Sequence, residues 1–430
     1  MKLWDKGYDT DKLVEQYTVG NDRILDMKLA PYDVQASLAH AKMLNETGLL
    51  SDKEYRDIEK GLKEIQKSIA QGTFTIEEDF EDVHSKIEYE LTRAIGEAGK
   101  KIHTARSRND QVLVALHLYF KQEIKTIKDL MGQLFETLIS LSEKHKNDLM
   151  PGYTHTQVAM PSSFGLWFGA FAETLADDLL LLNAAYRLAD QNPLGSAAGY
   201  GSSFPIDRRL TTRSLGFHTM KYNSIAAQLS RGRTEKTLAY ALASVSGTLS
   251  KMASDLILFM CGNFGFVRFP DELTTGSSIM PHKKNPDVLE LLRAKSNKIQ
   301  NLPNEITLIV NNLISGYHRD FQLLKQPIMD AIDTVKENLQ VADFMLQHIE
   351  IEQNILKDEE KYRYLYTVES VNQLVRNGVS FREAYQKVGK QVMEGSYVPE
   401  TTLHHTHEGS MGNLCNDEIR KKFRQFSDTV

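Results

Sequence analysis

Apolar residues recur at alternating steps of three and four along five long stretches of the chain. In 111–145, Leu113, Phe120, Ile124, Ile127, Met131, Leu134, Leu138 and Leu141 make one stripe, interrupted only by His117. In 163–190 the stripe is Phe164, Phe168, Phe171, Leu175, Leu179 and Leu182. In 235–261 it is Leu238, Leu242, Val245, Leu249, Met252, Leu256 and Phe259, with Ala239, Ala241, Ala243, Ser246, Gly247 and Ala253 small enough to let neighbours approach closely. A fourth stripe starts at Pro286 and runs through Val288, Leu292, Ile299, Leu302, Ile306, Ile309 and Leu313, with a kink expected at Pro303. The fifth follows Pro327 through Ile328, Ile332, Val335, Leu339 and Leu346. This spacing belongs to helices that bury one side against one another. The expected fold is all-α: an elongated central bundle of about five long helices over 111–350, flanked by two smaller, mainly helical domains at 1–110 and 351–430. In the first flank, 34–50 and 52–70 have helical spacing and end at Gly48 and Gly72. The acidic run Glu77–His84 reads, for most of its residues, as a solvated helix start; His84 could line a site, but a plain polar role is the reading preferred. His117 reads as a core histidine.

At 430 residues the chain is long enough for more than one domain. A net charge of −6 argues against nucleic acid or an anionic membrane as the main partner, but leaves room for a local basic pocket. The two cysteines, Cys261 and Cys415, exclude a disulfide framework and suit a reducing cytoplasm. Met1–Lys6 lacks the apolar core of a leader, and no run has the apolar length of a membrane span. His404, His405 and His407 lie near Cys415 without a second ligand pair at zinc spacing, so no metal is expected.

Four polar segments punctuate the helices. Gly276-Ser-Ser-Ile-Met-Pro-His-Lys-Lys-Asn-Pro286 is a glycine-hinged loop leading into a helix, with Asn285 at the expected N-cap and Pro286 at the first helical position. A helix start offers free N–H groups and a positive dipole end, both suited to an anion. Lys100–Gln111 concentrates donors, including Arg106, Ser107, Arg108 and Asn109. Arginine forks grip carboxylates at two points. Pro151-Gly-Tyr-Thr-His-Thr-Gln157 is a turn that presents His155, and Tyr317–Lys325 is a polar connection between the fourth and fifth helices. The glycine-rich stretch 192–201 has neither the Lys-Ser/Thr of a phosphate loop nor a preceding strand, so nucleotide binding is rejected.

The first of these segments resembles the Gly-Ser-Ser-x-Met-Pro-x-Lys-x-Asn-Pro signature of the fumarase/aspartase superfamily, whose members break a C–N or C–O bond by β-elimination. His103-Thr-Ala-Arg-Ser-Arg-Asn-Asp-Gln111 and Gly152-Tyr-Thr-His-Thr-Gln157 are similar to motifs of the argininosuccinate lyases. So is Tyr317-x-x-Asp-x-Gln-x-x-Lys325. The resemblance covers about 22–332. It implies conversion of argininosuccinate to arginine and fumarate with no cofactor. It makes Ser277 the base, with Ser278 competing, and His155 the acid or a relay to it, with Glu290 as its partner. Lys283 and Asn285 would stabilise the carbanion. Ser107, Arg108, Asn109, Thr154, Tyr317, Gln322 and Lys325 would bind substrate. Three positions depart from the pattern. Ala105 replaces a common glycine, and His282 stands where these lyases usually have glutamine and adenylosuccinate lyases often have histidine. In Ser230-Arg-Gly-Arg-Thr-Glu235, either Arg231 or Arg233 could be the family's arginine.

The helix over 111–145 spans on the order of 50 Å. A metabolite cannot bridge the Arg108 segment at its start and the His155 segment beyond its end. If both serve one site, they come from different chains. The family's homotetramers, with sites shared between subunits, agree with this. Two other readings remain. One is an adenylosuccinate lyase or a cycloisomerase of the same superfamily, against which Ser107–Gln111 and the Gln322 segment speak. The other is a non-catalytic scaffold protein akin to the related lens crystallins, against which the presence of Ser277, Lys283, His155 and Glu290 speaks.

Overall fold

A computed structural model describes residues 11–428; Met1–Lys6, read above as no leader, lies outside them. The long helices form where the apolar stripes place them, and they define the all-α bundle. The first, Arg108–Lys144, has 37 residues and starts at Ser107, whose hydroxyl accepts from the Asn109 N–H at 3.2 Å while Asp110 reaches back to the Ser107 N–H at 2.9 Å. The second, Phe164–Ala189, is capped by Ser163. The third is Arg233–Met260 and the fifth Lys325–Gln347. The fourth differs from expectation. It is broken into Asp287–Ile299 and Leu302–Val310, with Pro303 in the first turn of the second piece rather than kinking a continuous helix. A proline there lacks only an N–H that would be unpaired anyway.

Leu134, Leu138, Phe164, Phe168, Leu242, Leu249, Leu292 and Ile332 belong to one buried apolar cluster. A short hairpin, Leu149–Thr154 paired antiparallel with Gln157–Ser163, reverses the chain between the first and second helices. The third and fourth run antiparallel: Ser250 Oγ meets Asn297 Oδ1 at 2.7 Å, and Gly232 sits against Val310. The fifth runs parallel to the first, with Lys336 bound to Glu123 at 2.6 Å and Thr137 to Asp343 at 2.6 Å.

The bundle therefore has two ends with different contents. The near end holds the start of the first helix, the 230–233 turn and the 311–325 connection. The far end holds the 149–163 hairpin and the 261–287 connection, about 42 Å away along the third helix. The helices Ala30–Glu46, Asp52–Ala70 and Val83–Ile95 share a second cluster around Val34, Leu44, Ile58, Leu62 and Leu91. Gly48 and Gly72 follow the first two helices at φ +76 and +69, the left-handed stop that glycine adopts freely. In the tail, Thr367–Arg376 and Phe381–Met393 bury Val371, Ala384, Val388 and Tyr397 together. The last helix, Asn416–Ser427, returns to the bundle, where Phe423 stacks on Phe135 at 3.9 Å.

His117 is fully buried, with Nδ1 donating to the Ala189 carbonyl at 3.0 Å, as expected of a core histidine. The acidic run departs from its solvated reading: Glu81, Asp82 and His84 are all buried. His84 Nδ1 lies 3.2 Å from the buried Asp33, so it is one member of an internal charge pair.

Candidate active site

At the near end, a cleft of about 370 Å³ is lined by Arg108, Asn109, Tyr317, Gln322 and Lys325, together with Asp22, Glu81, Asp82, His103, Val112, Arg231 and Arg319. Arg108 is the first residue of its helix, and all three guanidinium nitrogens are engaged. Nη1 donates to Glu81 Oε2 at 3.0 Å, Nε lies 3.2 Å from Asp82 Oδ2, and Nη2 donates to Ser85 Oγ at 3.2 Å. Arg319 Nη2 donates to the other oxygen of Glu81 at 2.7 Å. Arg231 is buried, donates to the Phe321 carbonyl at 2.6 Å and pairs with Glu235 at 3.3 Å. Lys325 lies between Asp26 at 2.7 Å and Asp22 at 3.2 Å. Burial pulls its ammonium down, but the two carboxylates outweigh burial and hold it above its ordinary value. The Gln322 amide donates to the Thr18 and Val19 carbonyls at 2.9 and 2.8 Å.

Asp110 fixes this end from below. One carboxylate oxygen caps the helix start, and the other accepts from the Gly195 and Ala197 N–H groups at 3.0 and 2.9 Å. Burial pushes its carboxyl up to about 6 against the opposing pull of those N–H groups. The glycine-rich 192–201 connection thus serves as a socket for a helix start. Ala105, just before it, has φ +61, in the left-handed region that glycine adopts more freely than alanine.

The far end is built differently. His155 and Thr156 form the hairpin tip, both in the left-handed region at φ +53 and +59. That conformation costs a non-glycine residue roughly 1–2 kcal/mol, so the tip is not optimised for stability. The His155 side chain is exposed and makes no hydrogen bond among the described residues; Thr154 is exposed beside it. In the 276–286 loop, Ser277 Oγ accepts from the Ile279 and Met280 N–H groups at 3.3 and 3.1 Å. Ser278, Lys283 and Glu290 are exposed, and Lys284 pairs with Asp271. Asn285 is not the N-cap. The helix begins at Asp287 with Pro286 in the cap position and no side chain capping it. The Asn285 amide closes the loop by donating to the Gly276 carbonyl at 3.1 Å, because the 275–285 bridge turns it inward.

The expected site residues therefore fall into two groups. The cleft gathers Arg108, Asn109, Tyr317, Gln322 and Lys325, with Ser107 beneath as the cap. Thr154, His155, Ser277, Lys283, Asn285 and Glu290 lie outside it, in far-end segments. Of the two open arginines, Arg231 lines the cleft and Arg233 is exposed. Asp22, Glu81, Asp82 and Arg319 were not foreseen. Arg319 lies within a segment singled out from sequence, but the pairing of the acidic run with Arg108 left no mark in spacing.

The fold is that of several solved lyases. It superposes on EDDS lyase in complex with formate with a TM-score of 0.79 at 20% identity, covering 97% of this chain and 91% of that one. A class II fumarase from Schistosoma mansoni gives a TM-score of 0.73 at 14% identity, covering 97% and 95%. At such identities the likeness speaks for the fold alone. The profile of the family described as Lyase matches residues 6–301, and the chain belongs to that lyase family. Within it, the chain is 52% identical over 427 residues to an argininosuccinate lyase of Bacteroides thetaiotaomicron, covering 99% of this chain and 96% of the relative. It is 45% identical over 390 residues to one of Thermotoga neapolitana, covering 91% and 98%. Its branch of the family is the argininosuccinate lyases.

Proposed function

We propose that the reaction of this branch, the reversible β-elimination of L-argininosuccinate to L-arginine and fumarate, takes place here at sites assembled from several copies of the chain. Near-end clefts would hold the substrate and far-end loops of neighbouring copies would carry out the elimination. The observation that carries the reading is the separation of the motif residues between two bundle ends about 42 Å apart, while the substrate is a single metabolite.

The reaction removes a proton from the carbon α to a carboxylate and β to the leaving nitrogen. The electron pair left on carbon must spread onto that carboxylate before the C–N bond breaks. The 276–290 segment suits this step. Its helix start has no capping side chain, so its first N–H groups are free for an anion. Lys283 and Asn285 stand beside that start. Ser277 is the proposed base. The two N–H groups already directed at its oxygen would favour the alkoxide over the hydroxyl. Closure of the loop over the substrate would exclude water. His155, with Glu290 as its partner, is proposed to protonate or relay to the departing guanidino nitrogen. Ser107, Arg108, Asn109, Thr154, Tyr317, Gln322 and Lys325 are proposed to position the substrate, and the lining of the cleft adds Arg231. No cofactor enters the scheme.

A homotetramer with shared sites, working in arginine biosynthesis in the cytoplasm, is the setting this reading implies. Both cysteines are free, and no helix among the described residues is long and apolar enough to cross a membrane. The test is the ultraviolet absorbance of fumarate. Purified protein should produce it from argininosuccinate and not from adenylosuccinate, while light scattering reports a tetramer. A folded tetramer that leaves argininosuccinate untouched would overturn the reading.

A further inference from the structure

One wall of the cleft is short of positive charge. Asp22 and Asp26 are the first and last residues of the short helix Asp22–Asp26, one turn apart, so both carboxylates project from the same face. That face meets Lys325, whose ammonium is 2.7 Å from Asp26 Oδ1 and 3.2 Å from Asp22 Oδ2. Arg231, the other cation acting on Asp22, pairs with Glu235 at 3.3 Å. Two carboxylates thus share one ammonium. Asp26 is fully buried, and its second oxygen accepts from the Val83 N–H at 3.3 Å. Asp22 lines the cleft, with 14% of its side chain exposed. Of the two, Asp22 is the one that can share its charge with a ligand.

We propose that Asp22 receives the α-ammonium group of the substrate, and so makes the cleft specific for an α-amino acid over its deaminated analogues. The substrate has two cationic groups. The guanidino nitrogen is the one that leaves, so it lies with the reacting carbon at the loop of a neighbouring copy. The α-ammonium is left to the cleft, where an ammonium taken out of water needs a carboxylate. Burial pushes the Asp22 carboxyl up to about 6, opposed by Lys325 and helped by the charge of Asp26. The group is therefore ionised at neutral pH yet undercompensated, and a ligand ammonium supplies the missing cation. Its backbone is held in place for the purpose. The Gln322 amide and Arg319 both donate to the Thr18 carbonyl at 2.9 Å, and the Asn21 amide donates to Gln326 at 2.9 Å. These bonds fix the turn before Asp22 against the same connection that carries Tyr317 and Lys325.

The inference rests on the near-end cleft being the substrate pocket, and the experiment separates the two ideas. Fumarate release from argininosuccinate by the unmodified tetramer tests the reading itself. Asp22 is tested by calorimetric titration with two ligands, L-arginine and 5-guanidinopentanoate. They share the guanidinium, the carbon chain and the carboxylate, and differ only in the α-ammonium. The wild type should bind arginine about 10–100-fold more tightly than 5-guanidinopentanoate. Asp22→Asn should lose most of that ratio, weakening arginine while leaving 5-guanidinopentanoate unchanged or slightly tighter. Asp22→Glu, which keeps the charge, should recover part of it. A general loss of structure would weaken both ligands together and leave the ratio intact. The wild-type comparison needs no variant, so it decides the matter even if Asp22→Asn shows no cooperative thermal transition. Equal affinities for the two ligands, or no measurable binding of arginine, would overturn the proposal. So would a preference for arginine that survives unchanged in folded Asp22→Asn. A preference that depends on Asp22, in a protein that releases no fumarate, would keep Asp22 as an ammonium site and overturn the reaction instead.

Discussion

The near end of the bundle is finished, whereas the far end is left open. Arg108, Arg231 and Lys325 are each tied to carboxylates or carbonyls, and the helix start beneath Arg108 is locked by Asp110. At the far end, His155 sits on a strained tip and its side chain has no hydrogen-bond partner among the described residues, and Lys283 and Glu290 project into solvent. The difference follows from the work each set is proposed to do. Positioning a substrate needs rigid groups, and rigidity comes from pairing them within the chain. Moving protons needs groups free to meet a ligand delivered from elsewhere. An end proposed to react, with its candidate groups open to solvent, makes sense when a neighbouring copy supplies the pocket.

The largest effect should come from breaking that division. Ser277→Ala removes the proposed base and should lower kcat by about 10²–10⁴-fold. Arg108→Gln removes a positioning fork at the other end and should raise KM and lower kcat/KM. Each variant alone is crippled at all of its sites. Unfolding and reassembling the two together should restore measurable fumarate release, because some sites then combine an intact cleft with an intact loop. Failure of the mixture, with both variants folded and co-assembled, would mean that the two ends do not serve one site.

Much of this arrangement was legible in the sequence, for identifiable reasons. The stripes from Leu113 to Leu141 and from Leu238 to Phe259 follow the geometry of one helix, so they could be read without tertiary knowledge. The distance between the Arg108 and His155 segments followed from helix length alone. What escaped notice depended on contacts remote in sequence. Glu81 and Asp82 looked solvated because acidic runs usually are, whereas contacts with Ser85 and with Arg108 and Arg319, the last two remote in sequence, hold them inside. Asn285 looked like an N-cap because Asn-Pro usually is one, but the bridge to Thr275 takes its amide for the loop. Pro303 was read as a kink because the apolar stripe continues past it, and periodicity does not register a break of two residues.

Lys325 gives the next effect in size. It is buried between Asp26 and Asp22, and Asp26 is wholly inaccessible to solvent. Lys325→Met keeps the length but leaves two carboxylates uncompensated, which should cost about 3–5 kcal/mol of stability in urea unfolding. A far-end lysine should behave otherwise: Lys283→Met should cost activity with little stability. Equal losses of stability at the two positions would erase the contrast.

Acid should attack the interior next. Burial pushes His117 down to about 4 and His40 to about 3, so both are neutral in the native state. The unfolded chain takes up protons at ordinary histidines below about 6.5. The stability from this difference is full above that value and is lost as pH falls through the window toward about 4, amounting to about 3 kcal/mol for His117. His84 acts in the opposite direction. Burial would lower it, but Asp33 and Asp82 outweigh burial and raise it, so its contribution is present at low pH and lost as pH rises. Thermal midpoints measured from about pH 7 down to pH 5 should decline in the wild type and less steeply in His117→Gln. An unchanged slope would show that His117 is already protonated in the fold.

The smallest effect on stability is also the sharpest test of the open end. Were Asn285 a true N-cap, Asn285→Ala would cost about 1 kcal/mol of stability. Its amide instead spans an exposed loop to the Gly276 carbonyl, and the following helix starts without a side-chain cap. The variant should therefore unfold within about 0.5 kcal/mol of the wild type. Fumarate release should fall all the same, because the amide shapes the segment that carries Ser277 and Lys283. A full capping penalty in urea unfolding, with turnover unchanged, would make Asn285 a structural residue and move the boundary between the paired and open ends.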